Sequence, residues 1–159
     1  MMHESTNNVE LSQASWNEIS HHAEVTFPDE CCGVIFALGS AERVVRLENI
    51  QNKLHDLDPE AFPRTAATAY NINALELDKL CTEANNRGEK FIAFYHSHPD
   101  HDPYFSVEDK AFAIQDGEPT FPGTAQIVVS LDVHGVQTIK AYAWSREKKD
   151  FIEVPIRRI

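Results

Sequence analysis

The chain has 159 residues, which suits one domain with one sizeable core. At 42% apolar and 25% charged residues it is not a disordered chain. Its net charge of -11 and pI near 5.1 argue against a general nucleic-acid binder, which needs a basic face, and they disfavour anionic lipid. No apolar run is long enough to span a bilayer. Met1 to Glu10 is polar and lacks the apolar core of a signal peptide. It reads as a flexible tail before a domain over 11–159, and the protein is expected in the cytoplasm. Cys31, Cys32 and Cys81 are an odd number without framework spacing, so they are expected to be reduced rather than bridged.

A helix is expected from about Ser12 to Glu24, where Trp16, Ile19 and Ala23 recur at helical spacing. Pro28 ends it. Gly33 to Leu38 is an apolar run closed by Gly39-Ser40, and Arg43 to Leu47 follows, so the two read as a hairpin. Glu30 stands just before the first of these strands. From the residues alone it is either a solvated strand start or an acid placed in a pocket. Glu48 to Arg64 is polar and irregular, and irregular stretches of that length are often functional. Thr65 to Ile72 is expected as a strand. Asn73 is placed to cap a helix over 74–87 that Gly88 terminates.

The next strand carries the chemistry. Phe91-Ile92-Ala93-Phe94-Tyr95 is apolar and short, and His96 and His98 follow directly. Side chains alternate along a strand, so both imidazoles point the same way. Ser106 opens a helical stretch to Ile114, with Asp109 three residues further on. That pair is a capping box in its own right. Asp109 is also placed to add a carboxylate to the two histidines. Three protein ligands with an open fourth position describe a catalytic zinc site rather than a structural one. His101 and Asp102, between the motif positions, are either further ligands or solvated loop residues. Beyond Ser106, Pro119 to Gly123 is a break. Ala125 to Leu131 and Val136 to Trp144 are strands around a turn at His134-Gly135, and a short strand lies near Phe151 to Ile156. The basic residues Arg146, Lys148, Lys149, Arg157 and Arg158 read as a solvated face or as a surface for an acidic partner. The order of elements predicts one α/β domain, a curved mixed sheet flanked by helices.

The spacing His-x-His-x7-Ser-x2-Asp, filled by His96, His98, Ser106 and Asp109, resembles the signature of the JAMM (MPN+, JAB) metalloprotease family. A second motif of that family, a glutamate within Pro-x-Glu-x-Cys-Gly, resembles Pro28-Asp29-Glu30-Cys31-Cys32-Gly33. The likeness runs from about Leu11 to Trp144. One departure is Phe105, where members often have proline before the motif serine. The resemblance implies the JAMM/MPN fold, which is cytidine-deaminase-like. It also implies one catalytic Zn2+ on His96, His98 and Asp109, and it moves Glu30 from strand start to pocket acid.

Metal-activated water would be the nucleophile, Glu30 the general base, and Ser106 the donor that holds the developing oxyanion. The implied substrate is the peptide or isopeptide bond after the C-terminal glycine of a ubiquitin-like modifier or sulfur-carrier protein. Its extended tail would need a narrow groove, for which 48–72 is the expected wall. Two other readings are a non-catalytic MPN-type scaffold and a peptidase acting on a different peptide. A nucleobase deaminase would need His-x-Glu with Pro-Cys-x-x-Cys, and a thermolysin-like protease His-Glu-x-x-His; neither is present.

Overall fold

A computed structural model describes residues 8–159. Their order is β1 (Val9–Leu11), α1 (Gln13–Thr26), β2 (Cys32–Leu38), β3 (Ala41–Leu47), α2 (Gln51–Leu57), α3 (Ala74–Asn86), β4 (Lys90–Pro99), α4 (Val107–Ala113), β5 (Ile114–Gln115), β6 (Glu118–Pro119), β7 (Ala125–Asp132), β8 (Gly135–Ser145), β9 (Asp150–Val154) and β10 (Ile156–Arg158). The expected α/β architecture is present. Six strands form one mixed sheet in the order β3-β2-β4-β7-β8-β9. Only β4 and β7 run parallel within it, and every other neighbour pair is antiparallel.

Most expected elements stand within a few residues of their sequence positions. The Ser12 side chain caps α1 and accepts the Ser15 N–H, and the Asn73 side chain caps α3 and accepts the Glu76 N–H. Gly88 follows α3 at φ 75°, a backbone conformation that glycine adopts at little cost.

Three expectations are corrected. Residues 1–7 of the expected tail lie outside the described residues, but Val9 and Glu10 belong to β1, which pairs in parallel with β10. The polar stretch from Glu48 is not wholly irregular, because it contains α2. Thr65 to Ile72 is not a strand but an ordered loop. Its backbone groups bond to side-chain amides and to isolated backbone groups rather than to a strand ladder. Asn52 Oδ1 accepts the Ala66 N–H at 2.8 Å, and Asn49 Oδ1 accepts the Asn71 N–H at 3.0 Å.

The sheet separates two apolar clusters. On one face α1 packs Ile19 and Ala23 against Ile35, Ala93, Tyr95, Ile127 and Val129. On the other, α3 packs Leu77 and Ala84 against Val34, Phe36 and Phe94. Alternation along β4 explains the division: Ala93 and Tyr95 face α1, whereas Phe94 faces α3. Gly33 is required by the same packing. A Cβ there would lie 2.4 Å from the Tyr95 ring, so the glycine in the Glu-x-x-Gly motif makes room for a core tyrosine.

Candidate active site

β4 delivers His96 and His98 to the face opposite Tyr95, at the end where the apolar lining of that face gives way to a cavity. α4 supplies the carboxylate. Ser106 caps this helix: its Oγ accepts the Asp109 N–H at 3.0 Å, and Asp109 Oδ2 accepts the Ser106 N–H at 3.0 Å. The capping box therefore fixes the Asp109 rotamer, and the carboxylate faces the two imidazoles. Asp109 Oδ1 lies 3.2 Å from His96 Nε2, and Oδ2 lies 3.3 Å from His98 Nε2. The two Nε2 atoms are 3.2 Å apart.

These three groups fit a metal ion. Bond lengths near 2.05 Å at tetrahedral angles place ligand atoms about 3.3 Å apart, close to the spacing seen here. His98 Nδ1 donates to the Asp102 carbonyl at 2.9 Å, so in its neutral form Nε2 carries the lone pair. A lone pair and a carboxylate buried together at this separation repel each other unless a proton or a metal cation lies between them. Burial pushes the His96 pKa down. Burial also opposes protonation of His98, but hydrogen bonds to Asp109 and Asp102 outweigh it and the pKa rises. Burial would raise Asp109, yet the two histidines hold its carboxyl well below the usual range.

Glu30 shares the cavity with His98, Ser106 and Asp109, in a volume of about 500 Å³. It is only 4% exposed, and burial pushes its pKa up to about 8. The backbone before β2 is pinned on both sides. Ser97, between the two histidines, accepts the Cys31 N–H on its Oγ at 2.8 Å and donates its own N–H to the Cys31 carbonyl at 3.1 Å. On the other side Glu30 N–H donates to the Ala66 carbonyl at 2.8 Å. The Ser-for-x in His-x-His therefore ties the motif strand to the acid's strand.

The cavity has two further walls. One is the 64–70 loop, where Tyr70 stacks on His96 with ring centroids 4.5 Å apart. The other is the segment from His101 to Phe112. Arg64 and Glu108 join these walls at 2.7 Å, though both are about half exposed. His101 lines the cavity but is not among the three converging groups, and Asp102 acts through its carbonyl. Phe105, the departure from proline, is buried and stacks on Tyr142, whose hydroxyl donates to the Pro103 carbonyl at 2.6 Å. Aromatic packing holds the loop before Ser106.

No sequence pattern points to Tyr70, Arg64 or the Asp102 carbonyl as site groups. Each comes from loop geometry, which has no period to read. The expectation that 48–72 walls the site was the one available signal.

A family model for prokaryotic homologs of the JAB domain matches residues 12–146. The chain belongs to this JAB family. Among curated proteins, a desampylase of Haloferax volcanii is 29% identical over 105 residues, covering 66% of this chain and 65% of that relative. The chain thus spans just under two thirds of that relative's length. A solution structure from Desulfitobacterium hafniense superposes with a TM-score of 0.64 at 20% identity, covering 93% of this chain and 90% of that one. One from Salinibacter ruber gives 0.60 at 21% identity, covering 95% and 91%. These two likenesses establish a shared fold. Among the described residues of this JAB-family protein, no helix is long and apolar enough to cross a membrane.

Proposed function

We propose that this protein is a zinc-dependent isopeptidase or peptidase. It would hydrolyse the amide bond after the C-terminal glycine of a ubiquitin-like modifier or sulfur-carrier protein. The observation that carries this reading is the convergence of His96, His98 and Asp109 beside a buried acid in one cavity. Membership of the JAB family supports a hydrolytic role, and the desampylase relative supports a ubiquitin-like conjugate as substrate. Free thiols at Cys31, Cys32 and Cys81 support a cytoplasmic setting.

His96 and His98 would hold the metal through Nε2 and Asp109 through a carboxylate oxygen. Bound there, zinc would polarise the scissile carbonyl and lower the pKa of water to about 7. Glu30 would take a proton from the attacking water. Burial suits it to this, because a raised pKa makes the carboxylate a stronger base than an exposed glutamate. The same carboxyl would then deliver its proton to the departing amine nitrogen, so water is consumed and acid and amine are released. Ser106 Oγ accepts the Asp109 N–H and keeps its own O–H for the carbonyl oxygen as charge develops there. Asp102, through its carbonyl, and Tyr70, through its ring, orient the histidines.

The test uses a ubiquitin-like protein joined through its C-terminal glycine to a lysine side chain, and the same protein with a linear extension. Cleavage after the glycine that stops with chelator and returns with zinc is the expected result. A zinc-loaded protein that cuts neither substrate would remove the substrate class. A protein that binds no metal would remove the enzyme and leave the scaffold reading.

A further inference from the structure

We infer that Asn49 is the positioning residue that holds Glu30 and the 64–70 cavity wall in one register. This inference rests on the reading of Glu30 as general base. Asn49 stands two residues beyond β3, 19 residues from Glu30 and 20 from Ala69. Its Nδ2 donates to the Glu30 carbonyl at 2.9 Å and to the Ala69 carbonyl at 3.1 Å. Its Oδ1 accepts the N–H groups of Gln51 and Asn71, both at 3.0 Å. Two donors and two acceptors are thus matched by two carbonyls and two backbone N–H groups. The amide can face only one way, because a flip would set like against like at all four contacts.

The consequence is mechanical coupling. Glu30 precedes β2, whose pairing with β4 begins only at Cys32 opposite His96. Its N–H goes to Ala66 and its carbonyl to Asn49, so the loop takes the place of a neighbouring strand. The same side chain grips Ala69 beside Tyr70, the ring that stacks on His96. Gln51 and Asn71 complete the brace: Gln51 Nε2 donates to the Arg64 carbonyl and Asn71 Nδ2 to Gln51 Oε1, each at 2.9 Å. The acid and the wall therefore move together or not at all. Asn49 touches neither substrate nor metal in this account.

Asn49→Asp separates the two halves of the side chain. It keeps the oxygens that accept from Gln51 and Asn71, and it replaces the donor to Glu30 and Ala69 with a repelling oxygen. Three readouts on this variant decide the matter. Hydrogen exchange on metal-free protein should quicken about tenfold or more in 28–32 and 66–71, with the α1 face unchanged. Zinc content should stay at the wild-type level. kcat should fall about tenfold to a hundredfold with KM within about threefold, as misplacement of a base predicts. Asn49→Ala, which carries no charge, takes over if the aspartate variant does not fold. Unchanged exchange in both segments, or a loss confined to KM or to zinc content, would overturn the inference. Should the wild type cut nothing, the functional reading falls, and exchange and zinc content still decide whether Asn49 couples the segments.

Discussion

Alternate residues of β4 do opposite work. Tyr95 points into the α1 face, where it meets one polar partner, His22 Nδ1, at 2.6 Å, and is otherwise packed in hydrocarbon. Burial pushes the His22 pKa down to about 4, so that pair is neutral across the physiological range. His96 and His98 point the other way, into a face that is apolar at Phe94 and then opens into a cavity of charged groups. The first face satisfies its polar atoms internally and gains stability. On the second, three electron-pair donors and a desolvated acid share one space, an arrangement that could take a cation. One strand thus serves both stability and chemistry, and the period of two keeps them apart.

Substitutions on the two faces should have different signatures. The largest effect is expected on the cavity face. His98→Ala or Asp109→Ala should abolish zinc binding and lower cleavage by at least about 10³-fold, measured by metal analysis and by rate. Glu30→Gln should keep zinc and lower kcat by about 10²–10⁴-fold.

The same variant carries a pH signature. The folded pKa of Glu30 lies near 8, above its ordinary value of 4.5, so the folded state holds the proton more tightly. Its contribution to stability is fully present below about 4.5 and is lost as pH rises towards 8. Metal-free Glu30→Gln should therefore melt higher than wild type at pH 8, with the gap closing near pH 4.5. In the zinc-loaded protein the added positive charge would favour the carboxylate, so activity should rise with pH over a range below 8, and the variant should lack that limb. Ser106→Ala should cost about 10²-fold in kcat through the lost donor, and about 1 kcal/mol of stability through the lost cap. Ser106→Asn, which keeps a capping oxygen, should restore more stability than rate.

On the α1 face the order of effects reverses. Gly33→Ala drives a methyl into the Tyr95 ring and should lower stability by about 1–3 kcal/mol, read from denaturant melts, with zinc still bound. The smallest effect is expected from Tyr95→Phe, about 1 kcal/mol for the lost hydrogen bond to His22 and no change in rate per bound zinc. A large drop in zinc affinity for Tyr95→Phe would break the separation of the faces.

What was legible in the sequence follows the same division. The two faces were readable where a period exists: the α1 stripe, the hairpin, the α3 cap at Asn73, and the alternation that sets His96 and His98 on one side. The Ser106–Asp109 spacing encoded both a capping box and a carboxylate turned towards the imidazoles, and both are present in one geometry. The local structure of 48–72 was not readable, although 64–70 does wall the cavity. α2 is short, and its N-cap residue, Ile50, makes no side-chain cap hydrogen bond. The 65–72 stretch reads as a strand by composition, but Asn49 and Asn52 take the backbone bonds that a ladder would have used. β1 was hidden because three residues beside the distant C-terminal strand carry no local signal. Tyr70 was invisible for the same reason, since its stacking on His96 depends on where a loop crosses the sheet.

The most direct test of the central claim is zinc content and cleavage measured together on wild type, Glu30→Gln and Asp109→Ala. The expected result is one zinc and cleavage after the glycine for wild type, one zinc without cleavage for Glu30→Gln, and neither for Asp109→Ala. Full cleavage by Glu30→Gln, or one firmly held zinc in Asp109→Ala, would contradict the account.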